Sequence, residues 1–188
     1  MTPYLEGVAA GVLLEFACGT GQHAAHMAPL LPHISFQPTD LDDSSHDTIK
    51  HYCAPHANIR PPLCVDASTD WAPGLKQQLE IPASSSVAAV MVVNMTHISP
   101  YAATQGLVEG AGAVLRKGGL LFIYGPFKRH GAHTSEGNAT FDLSLQGRNP
   151  EWGYRDVEAV AELAVEAGLT MEEVHEMPAN NFMLVFKK

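Results

Sequence analysis

The feature that most constrains the fold is a short apolar run that leads directly into a glycine-rich turn and then into a helix pattern. Residues 12–16 read VLLEF, and Gly19 and Gly21 follow within the turn ACGTG. An apolar run bounded by glycine is typical of a strand buried on both faces of a parallel sheet. From Gln22 to Leu31 apolar residues recur at helical spacing, until Pro32 ends the pattern. We therefore predict a strand, a tight turn and a helix.

Further apolar runs alternate with helix patterns along the rest of the chain. The predicted strands after the first are residues 34–37, 63–65, 87–94, 120–124, 171–177 and 182–186, and the predicted helices after the first are residues 43–53, 71–79, 101–115 and 156–167. Ser84–Ser86 is expected to precede the most apolar strand, which should lie at the centre of the sheet. Ser99 is expected to cap a helix, and Asn180–Asn181 is expected to form the last hairpin turn. This order predicts an α/β fold: a Rossmann-like, doubly wound, seven-stranded sheet, mostly parallel with an antiparallel C-terminal strand, in one domain over residues 1–188.

Polar residues follow the first four predicted strands at the positions where each strand ends. They are Glu15 with the turn from Ala17 to Gly21, then Asp40, Asp66 and Asn94. The carboxyl ends of parallel strands form the ligand site of open α/β sheets, and a carboxylate after the second strand is suited to accept hydrogen bonds from ribose hydroxyls. We therefore predict a nucleoside-containing cofactor at this edge of the sheet.

Two cofactor classes fit the glycine turn. Gly19-x-Gly21-x-x-Ala24 also matches the dinucleotide fingerprint, so a nicotinamide-dependent oxidoreductase stays open as a distant alternative. Glu15 argues against it, because a carboxylate beneath the turn would repel a pyrophosphate and suits a cationic amino-acid group. The predicted terminal hairpin also favours a methyltransferase sheet over a dinucleotide-binding one.

Composition limits the partners and the compartment. The formal net charge is −9, and the 11 Lys and Arg residues form no block, which argues against direct binding of duplex DNA. Three cysteines without CxxC spacing fit a reducing compartment, and the sequence shows neither a signal pattern nor a long apolar run, so we expect a cytoplasmic protein with no membrane partner. Two closely spaced histidine pairs, 23/26 and 130/133, lack a third ligand, so no metal site is predicted.

Several long strings resemble one family. The pattern Glu-x-Ala-x-Gly-x-Gly resembles class I S-adenosylmethionine-dependent methyltransferases. More narrowly, the chain resembles the methyltransferase-like protein 26 family, a domain-of-unknown-function group. The strings that carry this resemblance are LEFACGTGQHAAHMAPLLP, FQPTDLD, NMTHISP, GGLLFIYGPF, NPEWGYRD and EMPANNFMLVF. The resemblance implies S-adenosylmethionine as cofactor, S-adenosylhomocysteine as product, and a set of cofactor-binding residues: Glu15, Ala17, Gly19, Gly21, Asp40, Asp66 and Asn94. It implies no established acceptor. Members usually carry a helical segment before the first strand, whereas only residues 1–11 precede it here.

The methyl acceptor is expected near Asn94 and His97, which follow the fourth strand. His97 could serve as a general base with a pKa near working pH, or be structural. The segment from Gly125 to Tyr154 has about 30 residues without periodicity, which is long for an unstructured loop. It is a candidate acceptor lid with aromatic walls. The expected substrate residues are Tyr124, Phe127, Asn138 and Trp152, and Phe141 and Tyr154 are further candidates for the walls. Lys128 and Arg129 are candidates to contact an anionic acceptor.

These observations favour methyl transfer to an unknown small-molecule or protein acceptor. The alternative from another class is a non-catalytic module that binds S-adenosylmethionine or S-adenosylhomocysteine, or a protein partner, on the same fold.

Overall fold

A seven-stranded β-sheet forms the centre of the computed structural model, which describes residues 1–79 and 87–188. Its strands, in chain order, are β1 (Gly11–Phe16), β2 (Ile34–Asp40), β3 (Leu63–Cys64), β4 (Val87–Val93), β5 (Leu115–Gly125), β9 (Thr170–Met177) and β10 (Asn181–Lys187). The spatial order is β3-β2-β1-β4-β5-β10-β9; β10 is antiparallel to both β5 and β9, and the remaining pairs are parallel. The predicted fold class is confirmed.

Helices cover both faces of this sheet. They are α1 (Thr2–Glu6), α2 (Gln22–Met27), α3 (His46–Cys53), α4 (Ala72–Gln78), α5 (Tyr101–Val114), α6 (Glu136–Arg148) and α7 (Val157–Glu166). Apolar side chains of α4, α5 and α7 pack on one face, and those of α1 and α2 pack on the other. Along β4, Val90 and Val92 face the first layer while Ala89 and Met91 face the second, and all four are fully buried. Burial on both faces is why this strand is a continuous apolar run.

Two predicted boundaries are wrong. The helix α5 ends at Val114 and β5 begins at once at Leu115, with a register shift against β4, whereas the sequence predicted a strand from residue 120. Ser99 is not the cap of α5: the residue before the helix is Pro100, and the buried Ser99 hydroxyl has no hydrogen-bond partner within the described residues. The predicted Ser84–Ser86 linker lies outside the described residues.

The segment from Gly125 to Tyr154 is folded, which corrects the expectation of an irregular loop. It contains β6 (Phe127–Arg129), β7 (Ala132–His133) and the 13-residue helix α6, and β6 pairs with both β7 and β8 (Arg155–Asp156) in a second, three-stranded sheet. The residues that α6 buries are Asn138, Asp142 and Leu145, of which two are polar. Since the buried face is mostly polar, no apolar periodicity indicated the helix.

The last hairpin turn also lies slightly earlier than predicted. A short 3₁₀ turn spans Pro178–Asn180, in which Ala179 and Asn180 have φ of 60° and 55°, and Asn181 already belongs to β10. Among residues 1–79 and 87–188, the structure contains no helix with the length and apolar character that a membrane crossing requires.

Candidate functional site

A cavity of about 530 Å³ opens at the carboxyl ends of β1, β2, β3 and β4. Four of the predicted cofactor residues line it: Ala17, Asp40, Asp66 and Asn94. Each one follows or ends a different strand, so residues more than 70 positions apart meet because parallel strands end at the same sheet edge. Its volume lies in the usual range for small-molecule and cofactor sites, about 300–1,000 Å³.

The glycine turn adopts backbone conformations that need small residues. Gly19 and Gly21 have φ of 57° and 79°, in the left-handed region that side chains disfavour. A Cβ at Gly21 would lie 3.2 Å from both Cys53 Sγ and Ile49 Cγ2, so this glycine lets α3 approach the turn. A Cβ at Gly19 would meet no described atom within 4 Å. The space beside Gly19 is therefore open to a ligand.

The two predicted carboxylates hold local backbone at the cavity. Asp40 Oδ2 accepts a hydrogen bond from the Gly19 amide at 2.8 Å, and its Oδ1 accepts one from the Leu41 amide at 2.8 Å. Asp40 thus ties the glycine turn to the end of β2. Asp66 Oδ1 accepts hydrogen bonds from the Ser68 amide at 2.8 Å and the Ser68 hydroxyl at 2.7 Å, which close a short turn.

Glu15 lies within the sheet, 1% exposed, and does not itself line the cavity. Its Oε1 is 2.9 Å from Nδ1 of His23 on α2, a partner that the sequence did not predict. The other carboxylate oxygen, Oε2, is buried without a hydrogen-bond partner among the described residues. Burial raises the pKa of Glu15, and the hydrogen bond with Glu15 raises the pKa of His23. Within the described residues, Oε2 of Glu15 is therefore an acceptor without a partner at hydrogen-bond geometry.

A second cavity, of about 500 Å³, adjoins the first and shares Asn94 and Ile98 with it. Its described lining residues are Asn94, His97, Ile98, Pro126, Asn138, Phe141, Tyr154, Ala179 and Asn181. The rings of His97, Phe141 and Tyr154 lie about 6 Å apart in tilted or edge contacts. The two cavities are therefore neighbouring compartments, and the second has aromatic walls.

His97 lines the second cavity, but its pKa is not near working pH as the sequence suggested. The side chain is 6% exposed, and burial, with the Arg155 guanidinium nearby, lowers the pKa of His97 to about 4. The imidazole is therefore neutral at pH 7. Its Nδ1 is buried and has no hydrogen-bond partner among the described residues.

Two charged residues that the sequence did not single out hold the walls of the second cavity. Arg155 donates to the carbonyl oxygens of Thr96 and Ser99, on either side of His97. Asp142, 1% exposed on α6, accepts a hydrogen bond from the Tyr154 amide at 2.7 Å. The sequence carried no signal for these contacts, because each joins segments that are distant or irregular in sequence.

The predicted substrate residues divide into two groups. Asn138 lines the second cavity, as do Phe141 and Tyr154, whereas Phe127 is fully buried in the core and neither Tyr124 nor Trp152 is among the lining residues. Lys128 pairs with Asp142 at 3.1 Å and Arg129 with Glu158 at 3.1 Å. Both cations therefore have partners within the protein, which corrects the suggestion that they meet an anionic acceptor.

Within residues 1–79 and 87–188, no group of three or more His, Cys, Asp or Glu side chains is arranged to hold a metal ion. His23 and His133, each part of a sequence pair, contact Glu15 and Asp142 instead.

The comparisons with known proteins agree with this architecture. A family model described as "Protein of unknown function (DUF938)" matches residues 4–188. Similar solved structures include an O-methyltransferase family protein from Burkholderia thailandensis, with a TM-score of 0.77 and 15% identity over 95% of this chain and 51% of that chain. Human N-acetylserotonin methyltransferase, in complex with SAM, matches with a TM-score of 0.75 and 13% identity over 100% of this chain and 50% of that chain.

An O-methyltransferase family 2 protein from Planctomyces limnophilus, in complex with apigenin, matches with a TM-score of 0.75 and 16% identity over 100% of this chain and 56% of that chain. The chain thus spans about half the length of these proteins. At such identities the likeness shows a methyltransferase fold and does not extend to the reaction.

Proposed function

The chain belongs to the family described as protein of unknown function DUF938, and from that premise we propose that it is an S-adenosylmethionine-dependent methyltransferase with a single cofactor-binding domain. We also propose that the chain is a member of the methyltransferase-like protein 26 family, which its sequence resembles. One observation supports it most: Ala17, Asp40, Asp66 and Asn94 line a single cavity at the switch point of a methyltransferase-type sheet.

The residues present fit this cofactor. The open space beside Gly19 admits a ligand close to the backbone. Glu15, buried in the strand that leads into the turn, would favour the ammonium of an amino-acid moiety through its charge and not by direct contact. Asp40 would hold the ribose hydroxyls, and Asp66 would lie near the base. When bound, S-adenosylmethionine supplies a methyl group activated by a positively charged sulfur.

Asn94 and Ile98 would separate the cofactor from its acceptor, since both line the two cavities. The protein's task in methyl transfer is mainly to position the acceptor and to exclude water, which does not require a strong base. A neutral His97 is compatible with that task.

Thermal unfolding with ligands tests the cofactor assignment. At about 100 times its Kd, S-adenosylhomocysteine should stabilise the fold by about 2.7 kcal/mol, which corresponds to a rise in Tm of roughly 5–10 °C for a chain of this size. NADH at the same concentration should change Tm little. A large rise with NADH and none with S-adenosylhomocysteine would overturn the proposal.

Turnover separates an enzyme from a non-catalytic cofactor-binding module on the same fold. Release of S-adenosylhomocysteine from S-adenosylmethionine, dependent on an added acceptor, is expected of the enzyme and not of the module.

A further inference from the structure

Glu15 and His23 form a pair that joins the protein interior to solvent. The Glu15 side chain is 1% exposed and the His23 side chain is 49% exposed, and Glu15 Oε1 lies 2.9 Å from His23 Nδ1. Because half of the imidazole is exposed, His23 can exchange protons with water. The buried carboxylate has no such contact of its own, so its protons enter and leave through the ring.

The surroundings of Glu15 offer little else that could neutralise its charge. On the neighbouring strands its register partners are uncharged, namely Pro38 and Met91. Besides His23, the titratable groups that act on or respond to the Glu15 carboxylate are Asp40 on β2, Cys18 in the glycine turn and Cys53 on α3. Asp40 has the same sign of charge, and burial raises the pKa of both thiols, which keeps them neutral at pH 7. Among the described residues, His23 is therefore the titratable group that can balance Glu15.

The two groups hold their protons as a unit. Burial raises the pKa of Glu15, and the hydrogen bond with Glu15 raises the pKa of His23, so both shifts favour an extra proton on the pair. That proton lies either on Glu15, beside a neutral ring, or on the ring, beside an ionised carboxylate. In both forms the net charge of the pair is zero, and loss of the proton leaves it at −1.

The pair lies directly behind the wall of the first cavity. Glu15 precedes Phe16 and Ala17 in the chain, and both of these residues line that cavity. A cationic group bound there would lie near the carboxylate without touching it. Charges separated by protein interior interact more strongly than charges in water, so such a cation favours the form of the pair that has lost its proton.

Resting on the proposed function, we propose that His23 is a positioning residue for the cofactor: it holds Glu15 Oε1 and carries a proton away to solvent when the ammonium of the cofactor's amino-acid group enters the first cavity. Where the proton starts on Glu15, the Oε1–H bond breaks as an Nδ1–H bond forms, and Nε2 gives its own proton to water. Where the ring already holds both protons, only the Nε2 proton leaves. Both routes end with an ionised Glu15 and a neutral ring that donates Nδ1–H to it.

Calorimetric titration in buffers with different protonation enthalpies, such as phosphate and Tris, counts the protons released on binding. The two probes are S-adenosylhomocysteine, which carries the ammonium, and 5′-methylthioadenosine, which has the same nucleoside and thioether but no amino-acid group. At pH 7.5 the wild-type protein should release roughly 0.3–1 proton with S-adenosylhomocysteine and less than roughly 0.1 with 5′-methylthioadenosine.

Substitutions of the two residues assign the proton. Glu15→Gln retains the shape but cannot ionise, so it should weaken S-adenosylhomocysteine roughly tenfold, remove most of the proton release and leave 5′-methylthioadenosine within about threefold. His23→Asn retains an N–H for Oε1 but cannot take up a proton, so it should reduce the release at pH 7.5 at least about twofold and move its maximum to lower pH. The matched control is His26→Asn, exposed on the same helix, which should behave as wild type.

The outcomes separate this inference from the proposed function. If S-adenosylhomocysteine does not bind, the proposed function fails. If it binds wild type without proton release, or with no more release than 5′-methylthioadenosine, the inference alone is overturned. This comparison uses the wild-type protein and so holds even where a variant does not fold. Equal release by His23→Asn and wild type would overturn the role of His23 as the proton carrier and leave it a purely structural partner of Glu15.

Discussion

Replacing Asp142 with asparagine tests whether one buried carboxylate holds the wall of the second cavity. The Asp142 side chain is 2% exposed, and its Oδ2 lies 2.8 Å from His133 Nε2 and 3.1 Å from Lys128 Nζ. Its Oδ1 accepts the Tyr154 amide. Asparagine retains an acceptor for that amide but turns an NH₂ group toward two donors, so the change removes the charge and leaves the shape.

The magnitude follows from the pKa of this carboxyl. Burial alone would raise it, but hydrogen bonds from the Tyr154 amide, His133 and Lys128 lower the pKa of Asp142 from its ordinary 3.8 to about 2. At 1.36 kcal/mol per pKa unit, the ionised carboxylate contributes about 2 kcal/mol to the free energy of unfolding at neutral pH. Loss of that amount should lower Tm by roughly 4–8 °C in a chain of this length.

The lowered pKa of Asp142 also determines how its contribution to the free energy of unfolding changes with pH. A carboxyl with a lowered pKa in the folded state stabilises the protein above the unfolded pKa, and this stabilisation is lost as pH falls through the folded one. The difference in unfolding free energy between wild type and Asp142→Asn should therefore be about 2 kcal/mol at pH 7 and about half of that at pH 3. Urea unfolding at the two pH values measures it.

An exposed aspartate provides the control. Asp43→Asn removes a carboxylate that the fold leaves exposed, and should change stability by less than about 0.5 kcal/mol at both pH values. The reasoning is refuted if Asp142→Asn matches this control, or if its deficit at pH 7 does not shrink in acid. Because Asp142 does not line the first cavity, we also expect unchanged S-adenosylhomocysteine binding.

Three further predictions concern the first cavity and the helix beside it. Asp40→Ala should weaken S-adenosylhomocysteine by about 1–3 kcal/mol in calorimetric titration, from lost ribose hydrogen bonds and a looser glycine turn. Gly106→Ala should destabilise the fold by about 1–3 kcal/mol in urea unfolding, because its Cβ would lie 2.1 Å from the Ala67 carbonyl oxygen. His23→Gln should remove the part of the pH dependence of the unfolding free energy that comes from His23, because its raised pKa makes the contact with Glu15 stabilising below pH 6.5 and the stabilisation is lost as pH rises through the folded pKa.

Each of these changes has its own comparison. Asp40→Asn retains one oxygen acceptor and should recover part of the affinity; equal affinity in Asp40→Ala and wild type would remove the ribose role. Gly74→Ala, where a Cβ meets no described atom within 4 Å, should be neutral or slightly stabilising, in contrast to Gly106→Ala. A pH profile of His23→Gln parallel to wild type would mean that the contact with Glu15 does not matter for stability.

The first cavity could be predicted from sequence because its residues have fixed relations to strand ends. Asp40, Asp66 and Asn94 each end or follow an apolar run, and parallel strands bring such positions to one edge whatever the loops between them do. The left-handed turn at Gly19 and Gly21 was likewise local, since it depends on a few consecutive backbone angles. The strands and their directions followed from these local patterns, and the prediction of a nucleoside-containing cofactor rests on the same patterns.

The second cavity was decided by the tertiary structure. The helix α6 was missed because two of its three buried residues, Asn138 and Asp142, are polar, and only Leu145 is apolar. Burial of a polar side chain can be predicted only when its hydrogen-bond partners are known. The low pKa of His97 and its free Nδ1 depend on the packing around it, including Arg155, 58 positions further along the chain. The Asn94 and His97 side chains near Gly125 come from the segment after β4, which the sequence alone does not place beside the end of β5. Strand periodicity reports how one segment divides its faces between core and solvent, whereas the partners of a buried polar atom come from distant segments, so only the folded chain determines them.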